Sequence, residues 1–345
     1  MKRIIAVLVS ILVTLQIATP IVSALHTDES FMENDYLKLY VEQDGNNLGR
    51  YQLSTNKGNL DNGADDDKNL TYENFYSSYT TVVVNGKAYR FGEGESIEKP
   101  YYDRGKDACI TVQKFGAVEV TQSLTFADGM GTGHDDMLLV SYSAENTGSD
   151  SVLLGFRIMI DSQLDKDDRC KTKADNAPVA FEKKYSASLL PGTWQVDSED
   201  GAVTAYGKIS TTPDSVILAN WSSLSDKKWN YTPDASKDIS DAAAALVWDN
   251  STLGAGQSDN YSVYYGVKNR DAEKPSESSN TENSALQPDT RDPVTPDSSQ
   301  SVFPGDINFL TGENALPIIL ATVLAVVSMA VIFIAIRKKG GSSHE

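Results

Sequence analysis

Two stretches of this chain crowd carboxylates into loops. One is Asp61-Asn62-Gly63-Ala64-Asp65-Asp66-Asp67, and the other is Asp161-Ser162-Gln163-Leu164-Asp165-Lys166-Asp167-Asp168, with Asp175-Asn176 downstream. Dense Asp, Asn and Gly can supply the roughly six to eight oxygens that a calcium ion takes. The candidate ligands are Asp65 and Asp67 in the first loop and Asp161, Asp165 and Asp167 in the second. Neither loop has EF-hand spacing, and Lys166 and Arg169 dilute the second, so a solvated run of charge is the competing reading. Asp161 stands apart because it closes an apolar strand pattern, where rigid backbone would place it. No cofactor is demanded by any motif, and calcium is the ion these loops suggest.

A second chemistry belongs to the aromatics. Trp194, Trp221, Trp229 and Trp248 gather late in the chain, with Tyr231 beside Trp229. Indole and phenol rings offer an apolar face to the CH side of a sugar and a polar edge to its hydroxyls. Trp229-Asn230-Tyr231 lies in a polar loop, and loops carry binding residues. Trp229, Tyr231, Trp194 and Trp221 are the candidate ligand contacts, weighed against service as core plugs. Trp248, on an alternating strand, reads as core.

Catalytic constellations are missing. Of the three histidines, His26 falls at the expected mature N-terminus and His344 in the last residues, which leaves only His134. It sits in Gly131-Thr132-Gly133-His134-Asp135-Asp136, which reads as a hairpin connection rather than a metal or acid–base site. No Gly-x-Ser-x-Gly or His-Glu-x-x-His occurs. Glycoside hydrolysis needs only two carboxylates, and acids are so many here that chance pairs decide nothing. No residue is therefore nominated as catalytic.

The elements that would position these groups are strands. Residues 36–41 alternate, and Asn85-Gly86 between the β-formers of 80–84 and 87–91 supplies the positive φ of a type I′ hairpin. Further strands are expected at 108–115, 117–126, 137–144, 152–160, 201–210, 215–221, 243–248 and 260–267. Glu145-Asn146-Thr147-Gly148 reads as a second turn. Residues 240–246 are Ala-rich and fit a helix or a strand. Short strands with Gly, Asn and Asp turns predict an all-β fold, a large β-sandwich over residues 25–270. The pattern leaves open one large sandwich or two small ones. Cys109 and Cys170 permit one disulfide in an oxidising compartment.

The ends predict where the protein works. Residues 1–24 read as a cleaved signal peptide, with Lys2-Arg3, an apolar run and Val22-Ser23-Ala24. Residues 271–314 read as a disordered Ser/Pro/Asp-rich linker. Residues 315–336 hold no charged side chain and are long enough to span a bilayer, and the basic tail 337–345 then faces the cytoplasm. Only five of the 30 Lys+Arg and one of the 48 Asp+Glu lie in residues 1–24 and 315–345, so the exterior between them carries a net charge of about −22. Such a surface repels nucleic acid and anionic lipid.

Two resemblances follow. Thr311-Gly312, an apolar span and a basic tail resemble the sorting signal of Gram-positive surface proteins, although Asn308 and Phe309 stand where that signal has Leu and Pro. Residues 138–144 into Asn146-Thr147-Gly148, then 152–160 with Asp161, Ala219-Asn220-Trp221 and Val247-Trp248-Asp249 through Tyr264-Tyr265-Gly266, are similar to galactose-mutarotase-like supersandwiches and carbohydrate-associated modules. The resemblance implies architecture more than activity. Together these features predict a single-pass protein of the cell membrane or cell wall, its outer domain binding extracellular glycan or a surface protein without catalysis. A carbohydrate-active enzyme using paired carboxylates and a structural spacer are the alternatives.

Overall fold

The computed structural model describes residues 26–27, 30–166, 168–226 and 229–271. The expected signal peptide, the linker beyond Asp271, the apolar span, the basic tail and Asp167 lie outside those residues. No helix among the described residues is long and apolar enough to cross a membrane.

Strands dominate. In chain order they are β1 (His26–Thr27), β2 (Phe31–Glu33), β3 (Leu37–Val41), β4 (Tyr51–Thr55), β5 (Tyr79–Val84), β6 (Lys87–Arg90), β7 (Glu95–Asp103), β8 (Ala108–Phe115), β9 (Val118–Ala127) and β10 (Met137–Asn146). There follow β11 (Val152–Asp161), β12 (Lys171–Ala174), β13 (Ala177–Pro178), β14 (Lys183–Ser186), β15 (Thr193–Asp197), β16 (Thr204–Ile209), β17 (Ser215–Asn220), the short helix α1 (Trp221–Ser225), β18 (Ala242–Leu253) and β19 (Ser258–Gly266). A ten-stranded sheet runs β1-β7-β8-β9-β10-β19-β16-β15-β12-β13, a six-stranded sheet runs β14-β17-β18-β11-β5-β6, and β2-β3-β4 form a third. All pairings are antiparallel, as expected of an all-β chain with short turns.

The two large sheets share one core. Alternate residues of β9, β10 and β19 (Val120, Val140, Val263) meet alternate residues of β11, β17 and β18 (Ile158, Val216, Leu246) in a single buried cluster. Leu37, Leu39 and Leu53 of the small sheet join it. The chain is therefore one sandwich and not two. Aromatic rings join the layers: Phe156 of β11 stacks on Tyr261 of β19 at 4.2 Å, and Trp248 of β18 meets the same ring at 5.4 Å. Such pairs add about 0.5–1.5 kcal/mol each beyond the burial of their surface.

The Asn85-Gly86 hairpin forms as expected, with φ of 51° and 81° and Val84 opposite Lys87. Residues 145–148, by contrast, do not close a hairpin. β10 lies in the ten-stranded sheet and β11 in the six-stranded one, so the chain here crosses the sandwich. Asn146 holds the crossing by donating to the carbonyls of Asp150 (2.8 Å) and Leu253 (3.0 Å) and accepting from Gly148 N–H. The Ala-rich 240–246 segment is the start of β18. Its alanines face two ways, Ala242 and Ala244 into the main core and Ala243 and Ala245 into a second cluster on the outer face of the six-stranded sheet. Cys109 and Cys170 are both buried and no disulfide joins them, and burial pushes the Cys109 thiol up to about 12.

Candidate functional site

The outer face of the six-stranded sheet is covered by residues 221–226 and 229–241. Beneath them lie Tyr79, Met159, Ile217, Ala219, Ala243, Ala245 and Val247. The small alanines let α1 and the loop approach the strands closely. Two buried charges fasten this cover. Arg157 of β11, completely buried, donates to the carbonyls of Leu224 and Trp229 (both 3.4 Å) and to the Tyr79 hydroxyl (3.2 Å). Glu182, 1% exposed, accepts from Ser223 Oγ (2.7 Å), Asn220 Nδ2 (2.9 Å), Asp234 N (3.3 Å) and the Tyr231 hydroxyl, with Lys237 Nζ at 3.7 Å. Burial alone would raise the Glu182 carboxyl, but the bonds from Tyr231, Ser223 and Asn220 outweigh it and bring it down to about 2.

Where the cover meets the sheet edge, three neighbouring strands converge. β11 ends on Asp161, β18 begins just after Asp241, and β17 ends one residue before Trp221. The register sets this: Asp161 lies opposite Ala243 of β18, and Asn220 of β17 opposite Ala242. Asp161, Asp241 and Trp221 line a cavity of about 210 Å³ with Asp168 and with Tyr72, Tyr76 and Ser77 from the segment before β5. Its walls are tied together. The Trp221 indole N–H donates to Ser77 O at 3.0 Å, Asp161 N–H to Ser78 Oγ at 2.9 Å, and Trp221 N–H to Asp241 O at 2.8 Å.

The electrostatics of this cavity are unusual. Asp161 is 2% exposed, and its Oδ1 has no hydrogen-bond partner, nor has the equally buried Ser77 Oγ. Burial pushes the Asp161 carboxyl up to about 7; the nearby Ser77 hydroxyl opposes the rise without forming a well-shaped bond, and Asp241 and Asp168 add to it. Asp241 is raised as well, by burial and then by Asp168. Near neutrality such a carboxyl exchanges between a proton donor and an acceptor, beside two further carboxylates. A larger cavity of about 680 Å³ lies where the two acidic loops meet, between Ala64, Lys68, Asp165 and Asp200. It has no aromatic wall, and its Lys68 and Asp165 form an ion pair at 3.1 Å, so it offers less to a ligand than the smaller site.

The residues nominated from sequence divide sharply. Trp221 and Asp161 are brought together in the small cavity. Trp194 is 1% exposed beneath Gly207, whose added Cβ would stand 2.0 Å from the indole, so it packs the core and offers no platform. Trp229 and Tyr231 pack on the outer-face cluster, with the Trp229 ring against Gly155 and the Tyr231 hydroxyl committed to Glu182, so both close the cover. Among the described residues, no three Asp, Glu, His or Cys side chains stand where they would share a metal ion. Asp65 is buried and accepts from Asn59 N–H at 3.0 Å, Asp67 pairs with Lys38, and Asp165 pairs with Lys68, so these acids shape turns rather than converge. Gly131–Asp136 is indeed a connection between strands, its turn amides held by Asp128, with His134 Nδ1 2.8 Å from the Tyr36 hydroxyl. Glu182, Arg157, Asp241, Tyr72 and Tyr76 carry no local signal that would have marked them.

No family model matches the chain, and no curated protein matches it. Among solved structures it is similar to a putative aldose 1-epimerase from Escherichia coli K12, at 11% identity over 70% of this chain and 99% of the other with a TM-score of 0.40. It is also similar to a galactose mutarotase-like protein from Lactobacillus casei ATCC 334, at 12% identity over 68% and 98% with a TM-score of 0.39. A galactose mutarotase related enzyme from Lactobacillus acidophilus stands at 8% identity over 69% and 96% with a TM-score of 0.41. At this distance the likeness lends no residue a role.

Proposed function

We propose that the protein is a cell-surface saccharide-binding module whose ligand seat is the cavity at Asp161. The observation that carries this reading is the junction of aromatic walls with a buried carboxylate: half-buried Trp221 and Tyr72 and the 53%-exposed Tyr76 line one cavity with Asp161. Aromatic faces suit the CH side of a sugar ring, and open carboxylate oxygens suit its polar groups. The cavity is small, which fits one ring or the end of a chain rather than a long polymer stretch. The surface location rests on the apolar and basic patterning of residues 1–24 and 315–345, with the described domain outside the membrane and possession of a wall-sorting signal left to Thr311-Gly312. The test is retention of the full chain, in mild detergent, on immobilised cell-wall and dietary polysaccharides. Retention lost in Trp221→Ala and Tyr76→Ala is the expected result; absence of retention on every polymer would sink the proposal.

A second reading is favoured by the Asp161 carboxyl, raised to about 7 beside Asp241 and Asp168. An acid and a base of differing affinity for protons are the equipment of glycoside chemistry. Release of reducing sugar by the wild type and its loss in Asp161→Asn would move the assignment from binding to catalysis.

A further inference from the structure

We infer that Glu182 and Asn220 are positioning residues for the Asp161 cavity, so that the cover and the cavity open and close as one unit. The inference rests on the reading that this cavity is the ligand seat, and it names what governs that seat.

The cover is an excursion whose two ends are both cavity walls. It leaves the sheet at Trp221 and returns at Asp241, and both residues line the cavity. The Trp221 N–H bond to Asp241 O joins them. Asn220 stands at the root of both ends, 2% exposed, with its side chain fully engaged. Its Oδ1 accepts from Ser240 N–H (2.8 Å) and Asp241 N–H (3.2 Å), and its Nδ2 donates to Asp238 O (2.8 Å) and Glu182 Oε1 (2.9 Å). One amide group thus sets the spacing between the strand that ends here and the strand that begins, and with it the gap between Trp221 and Asp241.

Glu182 divides its two oxygens between the root of the cover and its middle. Oε1 takes the Asn220 amide and Ser223 Oγ, while Oε2 takes the Tyr231 hydroxyl and Asp234 N–H. A carboxylate is a rigid plane, so a pull on Oε2 turns Oε1 against Asn220. Apolar burial is thin here. Ser223 and Leu224 are the only buried residues among those described in the cover, with Trp221, Trp229 and Tyr231 half-buried. A segment with few buried apolar contacts belongs to the low-stability end of a fold and opens locally. Opening carries Trp221 and Asp241 with it, so a ligand seated between them favours the closed form. Linkage makes the effect mutual: an occupied cavity protects the cover, and a loosened clasp weakens the ligand.

The experiment is hydrogen exchange read by mass spectrometry on the full chain in mild detergent, comparing wild type with Tyr231→Phe, which removes one donor from Glu182 Oε2. Loss of one charge-assisted bond should speed exchange about fivefold or more in residues 229–236 and, by the same factor, in residues 239–241, with β10 unchanged. Acceleration confined to residues 229–236 would show a fastening without a relay and overturn the inference.

A second variant, Asn220→Ala, exchanges one neutral side chain for another. It should cut retention on the immobilised cell-wall and dietary polysaccharides about tenfold or more while its melt still shows a folded domain. Asp161 reports the same change without a ligand. It faces Asp241 and Asp168, the phenols of Tyr72 and Tyr76 and, from the core side, the Tyr265 hydroxyl, while Lys237 acts on Asp241 from the cover. Burial holds its carboxyl up at about 7. A loosened wall lets water in, so the step in tryptophan fluorescence that Asp161→Asn abolishes should move down by about one pH unit or more in Asn220→Ala. A step that stays at about 7 in the folded variant would overturn the positioning role. Retention lost in Trp221→Ala but kept in Asn220→Ala would do the same and leave the seat in place. No retention by the wild type, with exchange still coupled, would sink the saccharide reading and leave the positioning role standing.

Discussion

Replacing Asp161 by Asn removes a charge that the fold holds at a loss. The carboxyl rises from an ordinary 3.8 to about 7, chiefly because burial disfavours its ionised form. The folded state therefore binds this proton more tightly than the unfolded chain does. Between about pH 4 and pH 7 the folded state carries more of that proton, so this group's contribution to stability falls as pH rises through the window, and the loss is complete above it. At about 1.4 kcal/mol per pH unit, burying this group costs the fold about 2 kcal/mol at pH 5.5, where it must hold a proton the unfolded chain has lost, and about 4 kcal/mol at pH 8, where it must hold the charge. Asn escapes that cost and keeps the shape, and its backbone N–H still reaches Ser78 Oγ. Asp161→Asn should accordingly stabilise the protein, and should do so more at pH 8 than at pH 5.5. For a domain of this size the upper figure corresponds to a melting temperature higher by roughly 10 °C. Urea melts followed by tryptophan fluorescence at the two pH values measure the difference. A gain that is equal at both, or a loss at pH 8, would refute the assignment of Asp161 as a buried carboxyl held above its ordinary range.

Four further outcomes are expected. Gly207→Ala drives a methyl to 2.0 Å from the Trp194 indole, so it should destabilise by about 1–3 kcal/mol or more in denaturant melts, whereas an alanine at Gly63, with open space around it and no positive φ, should not clash. Glu182→Ala leaves Asn220, Ser223 and Tyr231 without their acceptor and should cost about 3–5 kcal/mol, with proteolytic nicks appearing first between residues 226 and 238. Cys109 and Cys170 should resist a thiol reagent in the native protein and both react in urea, since both are buried and no disulfide joins them; labelling of neither in urea would point to a disulfide. EDTA should leave the melting temperature unchanged, because among the described residues no three candidate ligands converge, and a clear drop would restore calcium to the acidic loops.

What was legible in the sequence follows from how local the deciding physics is. The Asn85-Gly86 turn needs only its own positive φ and two β-forming flanks, and it was readable at once. β7 was not, because an outer strand with Pro100 and five exposed residues at its start shows no alternation to find. β15 was equally overlooked, although Trp194 and Val196 alternate inward in its five residues. The chain crossing at Asn146 looked like a hairpin because turn residues report that the chain bends and not which sheet it enters next. Asp161 could be singled out as the acid ending an apolar strand, but Asp241 joins it only through a pairing across more than eighty residues. Glu182 reads as surface in Phe181-Glu182-Lys183-Lys184, and only partners up to about fifty residues away make it an interior anchor. Trp194 and Trp221 are alike as residues; what covers each one decides that the first is filler and the second a wall.

The rims of the six-stranded sheet have a bearing on life at high density. A strand with an open side is a template for another chain, and copies displayed side by side would meet at such rims constantly. Here one rim is β6, Lys87-Ala88-Tyr89-Arg90, and the other is β14, Lys183-Lys184-Tyr185-Ser186. On both, a lysine ammonium lies 4.6 Å from the centre of the tyrosine ring two residues on, Lys87 over Tyr89 and Lys183 over Tyr185. Scarce positive charge in an acidic chain is thus stationed at the two places where neighbours could zip together. Two copies brought rim to rim would set lysine against lysine before their backbones could pair.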